Sequence, residues 1–243
     1  MKVVLFAGGR GLRMRDGAAD VPKPLSVLAG RPLLWHVMSW YAGHGHTEFV
    51  ICLGYRADDV MTTLRQWAEP GWRVTFVDTG LDTPIGQRLK AVRHLVEDEP
   101  MFLANYADLL SDAPLSAMVE AFAASDATAA LLAVRPQASF HLVEMDPDGT
   151  VQHVGPVTGA PMWQNGGFFV MRPGVFDVIG DGEELVDEPF GRLADAGRLL
   201  AYAWEGFWAP LDTQKDRQRL QELYESGDHP WVTRPPVRLR AAG

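Results

Sequence analysis

A short apolar run, Val3-Val4-Leu5-Phe6, breaks directly into Ala7-Gly8-Gly9-Arg10-Gly11-Leu12-Arg13-Met14, and this junction restricts the folds open to the chain more than any other stretch. The apolar run reads as a buried strand. The glycines let bare backbone approach a ligand and adopt conformations that other residues resist. Successive exposed N–H groups in such a loop form an anion nest. Arg13 offers a planar fork for phosphate oxygens, and Lys23, inside Pro22-Lys23-Pro24, adds a compact charge on a flexible stem. A P-loop would need Gly-x-x-x-x-Gly-Lys-Ser/Thr, which does not occur. The dinucleotide pattern Gly-x-Gly-x-x-Gly starts at Gly9 and Gly11 but meets Met14 where its third glycine belongs.

With 243 residues and 47% hydrophobic content, the chain is long enough to bury one large core. A formal charge of -9 argues against a nucleic-acid surface, which must neutralise many phosphates. No stretch reaches the ~18 apolar residues of a membrane-spanning helix, and the amino terminus passes at once into the glycine loop rather than a signal peptide. A cytoplasmic protein without membrane or nucleic-acid partners is the expectation. The lone Cys52 falls within Phe49-Val50-Ile51-Cys52-Leu53 and reads as a core thiol.

Strand-like runs at 2–6, 48–53, 73–77, 101–105 and 128–134 alternate with helical stretches near 32–43, 57–68, 86–97 and 113–124. Such alternation predicts an α/β fold: a doubly wound, Rossmann-like, mostly parallel sheet with helices on both faces. Ligands of these sheets bind at the carboxyl ends of strands, where the strand order reverses. The glycine loop lies at that edge. So does Asp108, after Met101-Phe102-Leu103-Ala104-Asn105-Tyr106, while Asp212 follows a second apolar segment, Phe207-Trp208-Ala209. A nucleoside triphosphate brings magnesium, which takes one or two carboxylates plus phosphates and waters, and Asp108 and Asp212 are candidates to hold it. Each is equally readable as a turn or helix-capping residue.

These segments resemble the signature of sugar-1-phosphate nucleotidylyltransferases. Arg31-Pro32-Leu33-Leu34-Trp35-His36, Gln87-Arg88-Leu89-Lys90, Asn165-Gly166-Gly167-Phe168-Phe169-Val170, Gly206-Phe207-Trp208-Ala209-Pro210-Leu211-Asp212-Thr213 and His229-Pro230-Trp231 extend the likeness to about residue 232. Among the family's branches, the glucose-1-phosphate cytidylyltransferase branch is the most similar. The resemblance implies a single nucleotide-diphospho-sugar transferase domain over 1–232 with a small acceptor-side β subregion. A donor half would span about 1–127, an acceptor half about 128–215 and a carboxyl-terminal helix and tail 214–232, leaving 233–243 as a flexible tail.

It also implies a reaction and its residues. A nucleotidyl group passes from an NTP, by this branch CTP, to a sugar 1-phosphate, and pyrophosphate leaves. Arg13 would hold the departing phosphates and Lys23 would neutralise charge around the α-phosphorus, with Mg2+ on Asp108 and Asp212. Ala7, Gly8, Gly9, Gly11, Thr83, Gly86, Gln87, Arg88 and Tyr106 would bind the nucleotide. Arg88, read from the residues alone, is equally a solvated helix start. A homo-oligomer is the family's expectation.

The acceptor half departs from that pattern. Where the family carries Glu-Lys-Pro, this chain has His153-Val154-Gly155-Pro156, and no lysine or arginine lies between Arg135 and Arg172. Phe140 is followed by His141 instead of glycine. An altered acceptor, another sugar or cyclitol phosphate, follows, with His141, Asn165, Gly166 and Glu188 around it. A different cation reaching in for glucose 1-phosphate is the nearer alternative, and a non-catalytic nucleotide-binding homologue the more distant one. A GT-A glycosyltransferase would need Asp-x-Asp, but Leu109 and Leu110 follow Asp108. His36 reads as packing in an amphipathic helix. Trp163 is placed to face the acceptor, and Trp231 to pack against another subunit.

Overall fold

The computed structural model describes residues 1–9, 21–137 and 140–232. Seven strands form the central sheet: β1 (Lys2–Phe6), β4 (Glu48–Leu53), β5 (Arg73–Asp78), β6 (Phe102–Asn105), β8 (Ala129–Val134), β11 (Gln164–Met171) and β12 (Leu199–Trp204). Their order is β12-β8-β11-β6-β1-β4-β5. Only β11 runs antiparallel, wedged between β6 and β8, so the mostly parallel sheet expected from the sequence is present. Three two-stranded ladders complete the β structure: β2 (Val27–Leu28) with β3 (Arg31–Pro32), β7 (Leu109–Ser111) with β13 (Trp208–Pro210), and β9 (His141–Met145) with β10 (Val151–Pro156).

Alternation along β1 shows why the sheet is covered on both faces. Val3 and Leu5 enter one core with Phe49, Ile51 and Leu103, under α1 (Leu33–Gly43), α2 (Ala57–Trp67), α5 (Leu115–Ala123) and α7 (Gln214–Glu225). Val4 and Phe6 enter the other with Val50, Cys52, Phe102 and Phe169, under α3 (Ile85–Ala91), α4 (Arg93–Val96) and α6 (Glu188–Asp195). A strand apolar at every position has to be buried on both sides. The run from β1 through β4 to β5 proceeds outward in one direction, and the chain then returns to place β6 on the opposite side of β1. The carboxyl ends of β1 and β6 therefore flank the reversal point, where doubly wound sheets hold ligands.

Several expectations are refined. The helix read over 86–97 is two helices, because Val92 turns to φ -103° and ψ 9°. That break keeps Leu89, Val92 and Val96 all in the second core. Trp231 does not wait for another subunit: it is 1% exposed and packs on Phe207 at 5.5 Å. His36 is a packing residue, buried with Nε2 2.8 Å from the Leu28 carbonyl. Trp163 is exposed under the Arg135 guanidinium, 3.8 Å from its ring centre. The tail 233–243 lies outside the described residues. Among those described, no helix is long and apolar enough to cross a membrane.

Burial pushes the Cys52 thiol up to about 12. Thiolate, the reactive form, is then scarce near pH 8, and modification of the folded protein should run roughly a thousandfold slower than for a free cysteine. Denaturant should release the thiol at once. Native protein that labels at the free-cysteine rate would contradict this packing.

Candidate active site

Asp108 and Asp212 are far apart in sequence, and the β7–β13 ladder makes them neighbours. Asp108 leads into β7 and Asp212 follows β13, with Leu109 paired to Pro210 and the Leu211 N–H donating to the Asp108 carbonyl at 3.0 Å. Each carboxylate is freed from local duties by an adjacent residue. Thr213 caps α7 in a reciprocal box with Asp216, whose carboxylate also accepts from the Asp212 N–H at 3.1 Å. Asp212 is thus not the helix cap that its position allowed. Ala107 takes φ 65°, a backbone region that costs a non-glycine residue free energy, and its N–H is held by Asn105 Oδ1 at 2.7 Å. That turn sets the Asp108 side chain at the sheet's reversal point.

Lys23 joins the two carboxylates. Its Nζ lies 2.6 Å from Asp108 Oδ2 and also bonds Asp212 Oδ1. Pro22 and Pro24 constrain the backbone of the short 3-10 turn Lys23–Leu25 that carries it. Burial works to discharge the Lys23 ammonium, but the two carboxylates outweigh it and hold its pKa above the ordinary lysine value. Asp108 keeps 26% of its side-chain surface accessible, yet burial still pushes its carboxyl upward against the pull of Lys23. A hard divalent ion prefers such oxygen donors. Among the described residues no cluster of three acidic, histidine or cysteine side chains occurs, and Asp108 and Asp212 are the carboxylates brought together here.

Ala7, Gly8 and Gly9 follow β1, which pairs with the β6 strand that leads to Asp108. Ala7 donates to the Cys52 carbonyl at 2.9 Å, and the Gly8 carbonyl accepts from the Tyr55 N–H at 3.0 Å. Beneath it lies Arg88, 3% exposed, which excludes a solvated helix start. Its guanidinium donates to the carbonyls of Leu53 at 2.9 Å, Leu81 at 3.0 Å and Gly8 at 3.4 Å, and to Thr79 Oγ1 at 2.7 Å. It therefore ties together the segments that follow β1, β4 and β5. A Cβ on Gly8 would stand 2.1 Å from Arg88 Nη1, so residue 8 must be glycine for the arginine to fit. Gly9 is exposed and open. Gly11 and Arg13 lie outside the described residues.

The other expected nucleotide residues are also bonded or packed within the fold. Thr83 Oγ1 donates to the Thr79 carbonyl at 2.6 Å, and Gln87 Nε2 to the Gly180 carbonyl at 2.7 Å. A Cβ on Gly86 would meet the Glu183 carbonyl at 2.5 Å. Tyr106 packs on Phe169, and burial raises its phenol to about 12, so it acts as a neutral hydroxyl. That hydroxyl accepts from Asn165 Nδ2 at 3.2 Å, linking donor and acceptor sides.

Beside Asp212 opens a cavity of about 530 Å³, walled by Gln137, Gln164, Asn165, Trp208, Asp216 and Arg219 among others. Of the four expected acceptor residues, Asn165 lines it. Gly166 stands behind, its carbonyl accepting from Trp208 Nε1 at 2.8 Å. His141 is exposed at the start of β9 and Glu188 is exposed at the start of α6, and neither lines the cavity. Sequence reading missed Gln137, Gln164, Asp216 and Arg219. The helical spacing of 213, 216 and 219 was the one signal that they share a face.

Residues 2–198 match the nucleotidyl transferase family. The chain belongs to it. A glucose-1-phosphate cytidylyltransferase of Salmonella typhi is 34% identical over 256 aligned residues, covering 96% of this chain and 99% of that protein. Two solved structures share this nucleotidyl transferase's fold. HddC from Yersinia pseudotuberculosis superposes with a TM-score of 0.70 at 18% identity, covering 92% of this chain and 99% of its own. The UTP-bound UGPase from Acinetobacter baumannii gives 0.70 at 19% identity, covering 96% and 95%.

Gly8→Ala should displace Arg88 and loosen the loop. The expected result is at least a tenfold loss in NTP affinity by calorimetry, with a destabilisation of about 1–3 kcal/mol from overpacking. Undiminished affinity would mean that Arg88 does not shape the nucleotide side.

Proposed function

We propose that the enzyme transfers the CMP group of CTP to a sugar 1-phosphate, glucose 1-phosphate or a close analogue, releasing pyrophosphate. The observation that carries this reading is the convergence of Asp108 and Asp212 on one cation, at the strand-order reversal, beside the strand that leads into the glycine loop. The 34% identity to a cytidylyltransferase over nearly its whole length supports the choice of CTP and glucose 1-phosphate. An oxygen of the acceptor phosphate attacks the α-phosphorus. The bond between that phosphorus and the oxygen bridging to the β-phosphorus breaks, and pyrophosphate departs with the electron pair. Catalysis of this kind is positioning and charge stabilisation, so no covalent nucleophile is called for.

Asp108 and Asp212 would hold a magnesium ion, which when bound would supply neutralisation for the two anionic substrates. Lys23 then has two tasks. Without metal its ammonium keeps the carboxylates from facing each other unscreened, and with substrate it is within reach of the incoming phosphates on its long stem. Ala7, Gly8 and Gly9 offer backbone to the nucleotide, and Arg88 keeps them in place.

Pyrophosphate release, measured with each NTP and Mg2+ against glucose 1-phosphate, other hexose 1-phosphates and cyclitol phosphates, tests the reading. Turnover is expected with CTP, and Asp108→Asn should cut kcat by a hundredfold or more, in line with the loss of a charge-stabilising group. NTP binding without turnover by the wild type on any acceptor would instead identify a non-catalytic homologue.

A second measurement reports on the metal without activity. In Lys23→Ala the carboxylates lose their internal cation, and MgCl2 at ten times its dissociation constant should stabilise the variant by about 1.4 kcal/mol. For a chain of this size that is a rise of roughly 3–6 °C in Tm. The rise should vanish in Lys23→Ala/Asp108→Asn. Equal shifts in both variants would place magnesium elsewhere.

A further inference from the structure

Between Arg135 and Arg172 the acceptor half carries no lysine or arginine, and these two flanking arginines are both committed. Arg135 pairs with Glu205 at 3.0 Å and stacks on Trp163. Arg172 is tied to the carbonyls of Ala127, Phe122 and Ser125. An acceptor phosphate bound beside Asp212 therefore has no cation to meet from this segment. The cavity next to Asp212 has one on its wall, Arg219.

Arg219 reaches that wall by helical geometry. Thr213, Asp216, Arg219 and Leu220 recur at spacings of three and four on α7, a single face, and all four line the cavity. The two acids nearby are already balanced. Asp212 is paired with Lys23, and Asp216 spends its carboxylate on the N–H groups of Asp212 and Thr213 and on the Thr213 hydroxyl. Arg219 is exposed and makes no hydrogen bond or ion pair with any described residue. Among the described residues its guanidinium is therefore an unpaired, permanently charged fork beside a chamber of about 530 Å³. The amides of Gln137, Gln164 and Asn165 on the same walls donate and accept, as sugar hydroxyls require.

We propose that Arg219 clamps the phosphate of the acceptor, supplying from the carboxyl-terminal helix the positive charge that the segment between Arg135 and Arg172 does not provide. The proposal rests on the nucleotidyl transfer reading above. In that reaction the guanidinium holds the non-attacking oxygens of the acceptor phosphate, leaving one oxygen for the α-phosphorus. No proton moves through Arg219, and no bond to it forms or breaks.

Steady-state kinetics with CTP and glucose 1-phosphate, on the full-length enzyme with Mg2+, test the clamp. Arg219→Ala should lower kcat/KM for the sugar phosphate by about 10–100-fold, the range of a lost charge-assisted hydrogen bond. The KM for CTP should stay within about twofold, and Arg219→Lys should recover part of the loss because it keeps a point charge but not the fork. An unchanged KM for the sugar phosphate, or a parallel rise in the KM for CTP, overturns the proposal. Because Arg219 has no partner among the described residues, the thermal midpoint of Arg219→Ala should match the wild type. Calorimetric titration of glucose 1-phosphate into wild type and Arg219→Ala separates the two readings. Binding that depends on Arg219 in a protein without turnover sinks the transfer reaction and keeps the clamp; equal binding, or none to either protein, sinks the clamp.

Discussion

Two carboxylates held at one point repel each other, and the site depends on what keeps them there. Both Asp108 and Asp212 approach a single ammonium, so they lie within about 5 Å of one another, a repulsion of about 3 kcal/mol at an effective dielectric constant near 20. Lys23 more than offsets it, since each attraction acts over a shorter distance. The cost of assembling the pair is met locally. The β7–β13 ladder aligns the backbones, the Thr213–Asp216 box anchors one side, and the left-handed turn at Ala107 aims the other. A site prepared in this way is poised for a cation: the protein already holds one where substrate and metal would bring more.

Arg88 does for the glycine loop what Lys23 does for the carboxylates. Glycine-rich backbone has little to hold it in place, and an anion nest works only if its N–H groups keep their direction. A guanidinium buried under Gly8 takes up carbonyls from the ends of neighbouring segments and so turns three strand exits into one rigid rim. The exclusion is reciprocal, because the arginine occupies the volume where any side chain on residue 8 would sit. Charged residues of one sign, placed below the ligand surface rather than on it, shape the donor side.

The chamber beside Asp212 is built on other terms. It is bounded by a strand carrying amides, by the Trp208 segment of β13 and by one face of α7. Asn165 connects it to the donor side through the Tyr106 hydroxyl. The β9–β10 hairpin, which bears His141 and His153, stands exposed away from these walls. Neither histidine lines the chamber, whereas Arg219 on α7 does.

Much of this was legible in the residues. Continuous apolar runs required strands buried on both faces, their alternation with helical segments required a doubly wound sheet, and glycines between a strand and paired prolines around Lys23 marked a phosphate site. The order of motifs pointed to the nucleotidyl transferases and singled out Asp108 and Asp212, which the β7–β13 ladder makes neighbours. The split at Val92, the burial of Trp231 and the place of Arg88 were not legible, because each is set by which face of the sheet the segment packs against. Arg219 is the clearest case. In sequence it is one of many charged residues on an amphipathic helix; only the return of α7 alongside β13 and Asp212 turns it toward the chamber. Local pattern determined the sheet and the phosphate loop because those depend on near neighbours. Tertiary structure decided which charges are paired and which remain free, because that depends on residues brought together from opposite ends of the chain.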